Sequence, residues 1–223
     1  MINKQDWEQL IAQAQAQLTG AGIAALKNEM YDVLSEFLND SSAWTEMVPF
    51  NVIPSTGVTS TGAPNNIAYP VQVTEGQIIR LAGVIDSNGT PQPALMFDIG
   101  TITLKFPVNV TQVFTAALVK NVYLPLTKDS IPQGPDWLLP IWHVGLLDGI
   151  LGKMMNTPGR SYTNADKATY HLKRFRDAIA RARVSKLRAN TVGSQAWAYP
   201  QGFRTRSQQG GVPTVGNGNE RSF

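Results

Sequence analysis

The apolar residues of this chain change their spacing three times: helical, then alternating, then helical again, then without period. No all-helical or all-strand fold accommodates that succession. Trp7, Leu10, Ile11, Ala14 and Leu18 fall three and four apart, between a start at Asn3 or Gln5 and a stop at Gly20, and predict a first helix. Leu26, Met30, Val33, Leu34 and Phe37 predict a second, with Asn39-Asp40-Ser41-Ser42 as its exit. After Trp44 the period drops to two. Val48–Val52, Ile67–Val73, Gln77–Val84, Ala94–Ile99, Thr101–Phe106 and a longer, bending run from Val110 to Leu124 read as strands between Ser, Thr, Gly, Pro and Asn loops, about six in all. Asp86-Ser87-Asn88-Gly89 reads as a hairpin closed by a tight primed turn.

Helical spacing returns past Ile131-Pro132-Gln133-Gly134-Pro135. Trp137, Leu138, Ile141, Trp142, Gly145, Leu146, Gly149, Ile150 and Met154 mark a strongly apolar helix, with Asp136 as its cap, Pro140 in its first turn and Pro158-Gly159 as its stop. A fourth helix runs from about Asn164 to Ala189, with Ala168, Leu172, Phe175, Ile179 and Ala182 as its buried stripe. Beyond Asn190 there is no period. Helices that flank an inserted β block can pair because the insertion leaves and re-enters at neighbouring points. The expected class is therefore α+β: a four-helix bundle with an inserted β-sandwich-like domain and an extended C-terminal arm. The expected boundaries are 1–45 and 131–189 for the two halves of the helical core, 46–130 for the β domain and 190–223 for the arm.

Composition excludes several chemistries. With no cysteine among 223 residues, disulfide scaffolds, thiolate metal sites, cysteine nucleophiles and iron–sulfur clusters are ruled out. Met1 to Trp7 lacks the charged stretch and apolar run of a secretory signal. The apolar stretch from Trp137 to Met155 is broken by His143, Asp148, Lys153 and glycines, so it reads as a buried helix and not a bilayer span. A soluble protein made in the cytoplasm is the expectation.

No catalytic constellation emerges, and the chain is expected not to be an enzyme. His143 and His171 are isolated from carboxylates at ligand spacing, with Asp166 and Asp177 off the helical face of His171, so neither a metal nor another cofactor is implied. Gly145-Leu146-Leu147-Asp148-Gly149 lacks the Lys-Ser or Lys-Thr of a phosphate loop, and its glycines suit close helix packing. Asp6/Glu8 and Asp32/Glu36 read as solvated helix faces, and Ser161 and Ser207 lack the glycine elbow of a nucleophile.

Charge is more informative in its distribution than in its net value of +3. Met1 to Gly159 carries seven basic and 13 acidic residues, whereas Arg160 to Phe223 carries 12 basic and three acidic. Arg160, Lys167, Arg174, Arg181 and Arg188 recur every seven residues, which returns them to nearly one azimuth of a helix. Arg176 and Arg183 form a second row, and Lys173 and Lys186 widen the ridge. Such a ridge suits acidic neighbouring subunits or a nucleic-acid backbone. The last stretch is polar and glycine-rich apart from Trp197, Tyr199 and Phe203, so it reads as a segment that orders on docking to another protein.

Four stretches, in order, resemble the head-to-tail adaptor (connector) proteins of short-tailed bacteriophages, podovirus-type and tail tubular protein A-like. They are Leu26-Lys27-Asn28-Glu29-Met30-Tyr31-Asp32-Val33-Leu34-Ser35-Glu36-Phe37 with Ser42-Ala43-Trp44-Thr45-Glu46; the β block with Tyr69-Pro70-Val71 and Ile78-Ile79-Arg80-Leu81; the Pro132 to Met154 helix; and Trp197-Ala198-Tyr199-Pro200 with Phe203. The resemblance implies a structural virion protein at the head-tail junction, made in the host cytoplasm. It implies a twelve-fold ring beneath the portal protein, through whose lumen genomic DNA passes without sequence-specific binding. The arm would embed against the portal through Trp197, Tyr199, Pro200, Phe203, Arg204 and Arg206. The β block, larger than in the smaller relatives, would meet tail nozzle or tail fibre proteins or a neighbouring subunit. No membrane partner is implied.

Two other functions fit parts of the chain. A sequence-independent nucleic-acid-binding protein would use the ridge of Arg160, Lys167, Arg174, Arg176, Arg181, Arg183 and Arg188. A carbohydrate- or receptor-binding β module would need exposed aromatics, yet Phe50, Tyr69, Phe97, Phe106, Phe114 and Tyr123 mostly alternate as core residues do.

Overall fold

A computed structural model describes residues 2–52, 68–104, 111–123 and 131–189. The order of elements is α1 (Lys4–Gln17), α2 (Ile23–Ser41), β1 (Thr45–Val52), β2 (Ala68–Pro70), β3 (Gln77–Ile85), β4 (Pro91–Gln92), β5 (Ala94–Asp98), β6 (Thr101–Leu104), β7 (Gln112–Asn121), α3 (Leu138–Met155) and α4 (Ala165–Ala189). The class is mixed α+β, with four helices and antiparallel sheets among the described residues. By backbone contacts the chain divides into Met1–Leu187 and Arg188–Phe223, and most of the second unit lies outside the described residues.

Each helix follows its apolar stripe. Asn3 caps α1 by accepting the Gln5 amide on its side chain at 2.9 Å, and Trp7, Leu10, Ile11 and Ala14 are buried. The second helix continues past the expected exit at Asn39, because Leu38 and Ser41 are still buried and Ser42, at φ 53°, supplies the left-handed cap. The expected Asp136 cap of α3 is not formed. Trp137 is the N-cap and is itself helical, and the Leu138 amide bonds the Pro135 carbonyl at 3.2 Å. Pro140, third in the helix, costs no internal hydrogen bond there. By length and composition α3 is apolar enough to cross a membrane, and 56% of it is buried inside the protein.

Small residues set the depth at which α3 packs. A Cβ on Gly149 would lie 2.7 Å from Val33 Cγ1 of α2 and 2.9 Å from the Phe175 ring of α4, and one on Gly152 would lie 2.8 Å from Leu172. This is the close packing the glycine spacing predicts. Phe37, Trp142 and Phe175 stack at tilted angles across the three helices, with Phe37 centred 5.4 Å from Trp142 and 6.4 Å from Phe175. Leu172, expected inside, is only partly buried.

Among the described residues, seven strands form a four-stranded sheet in the order β1-β7-β3-β4 and a three-stranded sheet in the order β2-β6-β5, where the alternation suggested about six. Phe50, Val52, Ile78, Val84, Phe114, Ala116 and Leu118 from the first sheet join Tyr69, Ile102 and Leu104 from the second in one apolar cluster. A separate cluster holds the helices together with Trp44 and Val122. The alternating burial of β7 becomes continuous from Leu118 to Val122, where α2 covers a second side. Within the expected aromatic core, Phe50, Tyr69 and Phe114 are buried and Tyr123 is exposed. The Phe97 side chain and Phe106 lie outside the described residues.

The β3–β4 hairpin departs from a primed turn. Gly89 is left-handed at φ 80° while Asn88 is not, so the loop is a one-glycine bulge turn. Its cause is Asp86, whose Oδ1 accepts the Asn88 and Thr90 amides at 2.9 and 2.8 Å and whose Oδ2 accepts the Gln92 amide nitrogen at 3.1 Å. The Thr90 bond above all holds its carboxyl below the ordinary value of 3.8.

Candidate interaction surface

The fourth helix begins at Ala165, capped by Asn164, whose side chain accepts the Lys167 amide at 3.0 Å. Arg160 therefore sits in the turn ahead of the helix and is not part of a ridge along it. Of the other predicted cations, three kinds of environment result.

Arg174 is tied down. Its Nε lies 3.0 Å from Asp148 Oδ2, its Nη1 donates to the Tyr170 hydroxyl at 3.1 Å, and the guanidinium stands 5.5 Å from the Tyr170 ring centre. The Tyr170 bond, and then the Asp148 charge, push its pKa further up. Asp148 is only 5% exposed, and its Oδ1 meets His171 Nδ1 at 2.8 Å, so two α4 residues converge on one carboxylate of α3. This cluster escapes sequence inspection, which pairs His171 only with Asp166 and Asp177 on its own helix. His143, the other metal candidate, bonds Gln13 at 2.7 Å. Among the described residues no group of three or more His, Asp and Glu side chains is placed to hold a metal ion.

Arg183 and Lys186 are also engaged. Arg183 donates through Nε and Nη2 to the Asp40 carbonyl, at 3.2 and 2.5 Å, and so satisfies the end of α2. Lys186 donates to Thr45 Oγ1 and its pKa is lowered, first by burial and then by Arg80. Arg80 in turn donates to Ser42 Oγ. These contacts fasten the exit of α2 to both α4 and the first sheet.

Lys167, Lys173, Arg176 and Arg181 remain. All four are exposed and, among the described residues, none makes an ion pair. The Arg188 side chain and the arm residues Trp197, Tyr199, Pro200, Phe203, Arg204 and Arg206 lie outside the described residues.

Beside Arg181 runs an apolar strip that neither charge counting nor helical period singles out. Ile141 is 64% and Val144 56% exposed on α3, and Tyr170 and Val184 are exposed on α4. On α4, Tyr170, Arg174, Asp177, Arg181 and Val184 are spaced four, three, four and three apart, so they share one side of the helix. Between the helices lies an open cleft of about 240 Å³, lined on α3 by Ile141, Trp142, Val144, Gly145 and Asp148 and on α4 by Arg174, Asp177, Ala178 and Arg181. Exposed apolar surface of this kind costs free energy in water, and covering it is favourable. No protein-family model matches the chain, and no curated protein matches it.

Proposed function

We propose that the chain is a structural virion protein, a head-to-tail adaptor that forms a ring beneath a portal, extends the DNA channel and docks tail or nozzle components. In this reading the helices are a four-helix bundle, the two sheets an inserted β-sandwich-like domain, and 190–223 an extended arm that binds the portal through Trp197, Tyr199 and Phe203. It works in the virion after synthesis in the host cytoplasm, and it has no catalytic step to perform. The supporting observation is the α3/α4 face, where Ile141 and Val144 stand exposed beside Arg181, as on a surface made to be covered by protein. The order of the four stretches that resemble adaptors supports the same reading.

The test is assembly. Portal rings mixed with the full chain give an added ring of density by electron microscopy, and a chain lacking 190–223 keeps its helical circular dichroism but adds none. Unimpaired assembly by the truncated chain removes the arm from the proposal.

The exposed Lys167, Lys173, Arg176 and Arg181, which make no ion pair among the described residues, favour one alternative, sequence-independent nucleic-acid binding. That reading demands affinity for duplex DNA that falls steeply with salt, by roughly 0.9 decade per decade of salt for each phosphate neutralised. The apolar strip beside Arg181 argues for protein instead, since phosphate backbones offer it nothing to bury.

A further inference from the structure

Two strand edges of the β block face each other without pairing. β4 bonds β3 only where Val84 meets Gln92 and Ile85 meets Pro91. Pro93, which has no N–H to donate, ends that ladder, and the chain then crosses as β5 to the other sheet, where it pairs with β6. Among the described residues, Gln77–Gly83 of β3 therefore have a strand partner on the β7 side only, and Ala94–Asp98 on the β6 side only. The fork between them is an open groove of about 350 Å³, lined by Ile79 and Leu81 from β3, by Ala94 and Met96 from β5, and by Ile99, which is 69% exposed. Leu81, Ala94 and Met96 pack against the sheet cluster yet are only partly buried, so the core shared by the two sheets is uncovered along this seam. Ala82 and Gly83 are exposed, and a Cβ on Gly83 would meet nothing within 4 Å. At the opposite edge of the same sheet β1 carries Pro49, a residue that blunts an edge, whereas Gln77–Gly83 hold neither proline nor lysine.

We infer that this groove takes an extended segment of a tail or nozzle component, which adds to β3 as a strand along the line of β4 that β5 leaves. The inference rests on the adaptor reading for the identity of the partner and names how the β block holds it. The main chain selects the occupant: open N–H and C=O groups along both walls are matched by another extended backbone and not by a helix, whose own groups are bonded internally. Alternate side chains of such a strand point into the seam and cover Leu81, Ala94 and Met96, so the segment that fits has an apolar residue at every second position. The two charged residues of the lining, Arg80 and Asp98, are opposite in sign, and Arg80 already donates to Ser42 Oγ, so a phosphate backbone finds no net attraction here. The groove shares no residue with the α3/α4 cleft, and the two surfaces can be tested apart.

The probe is a short capped peptide of alternating valine and threonine with a lysine at each end, titrated into the full isotope-labelled chain and followed by amide NMR. Shifts confined to Gln77–Gly83 and Ala94–Asp98 are expected, with slower hydrogen exchange there, and none with the N-methylated peptide, which lacks main-chain donors. Met96→Asp and Ile99→Asp each place a charge in the groove and should weaken binding by at least about tenfold. Ile99→Asp should melt with the parent, since the side chain is exposed. The inference is overturned by no shift up to the solubility of the peptide, by equal shifts from the N-methylated peptide, by shifts centred on β1, or by undiminished binding to Ile99→Asp. Slow exchange throughout Gln77–Gly83 before peptide is added also overturns it, since the chain then covers its own edge. So does the same set of shifts produced by duplex DNA, or by concentrating the chain alone. Capture on portal rings, measured on the same proteins, judges the adaptor reading separately: capture without peptide binding sinks only the strand addition, and peptide binding without capture sinks the adaptor and the partner it names but leaves the strand site.

Discussion

The Lys120 ammonium lies 4.2 Å from the centre of the Trp44 ring and 2.5 Å from Glu46 Oε2, although the lysine side chain is only 2% exposed. Trp44 and Val122 belong to the helical cluster, whereas β1 and β7 run from here into the sheet cluster. Gly76 closes against the same indole: at φ 77° it is left-handed, and a Cβ there would lie 2.4 Å from Trp44 Cη2. One buried cation therefore sits where the two apolar cores meet.

Removing its partner is expected to be costly. Glu46→Gln should lower the unfolding free energy by about 3 kcal/mol, the scale for orphaning a buried charge, whereas Glu46→Gln combined with Lys120→Met should recover most of the loss. Urea titration of both variants measures this. Equal losses for the single and the double variant would show that the pair does not act as a unit.

Glycines at close approach and in open space should respond in opposite directions. Gly149→Ala drives a methyl into Val33 and Phe175 and is expected to destabilise by about 1–3 kcal/mol despite the better helix propensity of alanine. Gly83→Ala on β3 meets nothing within 4 Å and should be neutral or slightly stabilising. Thermal melts of the two variants check the contrast, and an unperturbed Gly149→Ala melt would contradict the packing described for α3.

The hairpin carries a pH dependence of defined sign. Asp86 has a folded pKa below 3.8, so its contribution is present above that value and is lost as pH falls through the lower, folded one. Asp86→Ala should therefore be less stable than the parent at pH 7, with the difference shrinking below about pH 4. Hydrogen exchange of the Asn88 and Thr90 amides at the two pH values is the measurement. A gap that widens on acidification would reverse the assignment.

The elements were legible where one face of one element decided them. The stripes of α1 and α2 and most of the α4 stripe are buried as their spacing requires, because a helix that hides one side needs only its own period to announce it. Legibility failed where a competing hydrogen bond, local or from a distant element, decided the outcome. Asp136 looks like a cap, but Pro135 and Trp137 already wind the chain into α3. Asn88-Gly89 looks like a primed turn, but the Asp86 carboxylate gathers the amides into another one. The seven-residue repeat of cations looks like a continuous ridge, yet Arg160 precedes the helix and Arg174, Arg183 and Lys186 are bound by Asp148, the Asp40 carbonyl and Thr45.

Sequence alone determined the alternation of helical and extended segments, the opposite charges of the two ends and the absence of thiol chemistry, since period, charge and composition are properties of residues taken along the chain. Tertiary structure decided which charges are spent inside the fold and which are left outward. It brought His171 and Arg174 to Asp148 from 23 and 26 positions away and left Ile141 and Val144 uncovered beside Arg181. Those outcomes depend on how deeply Gly145, Gly149 and Gly152 let α3 approach its neighbours, a distance that no one-dimensional pattern contains.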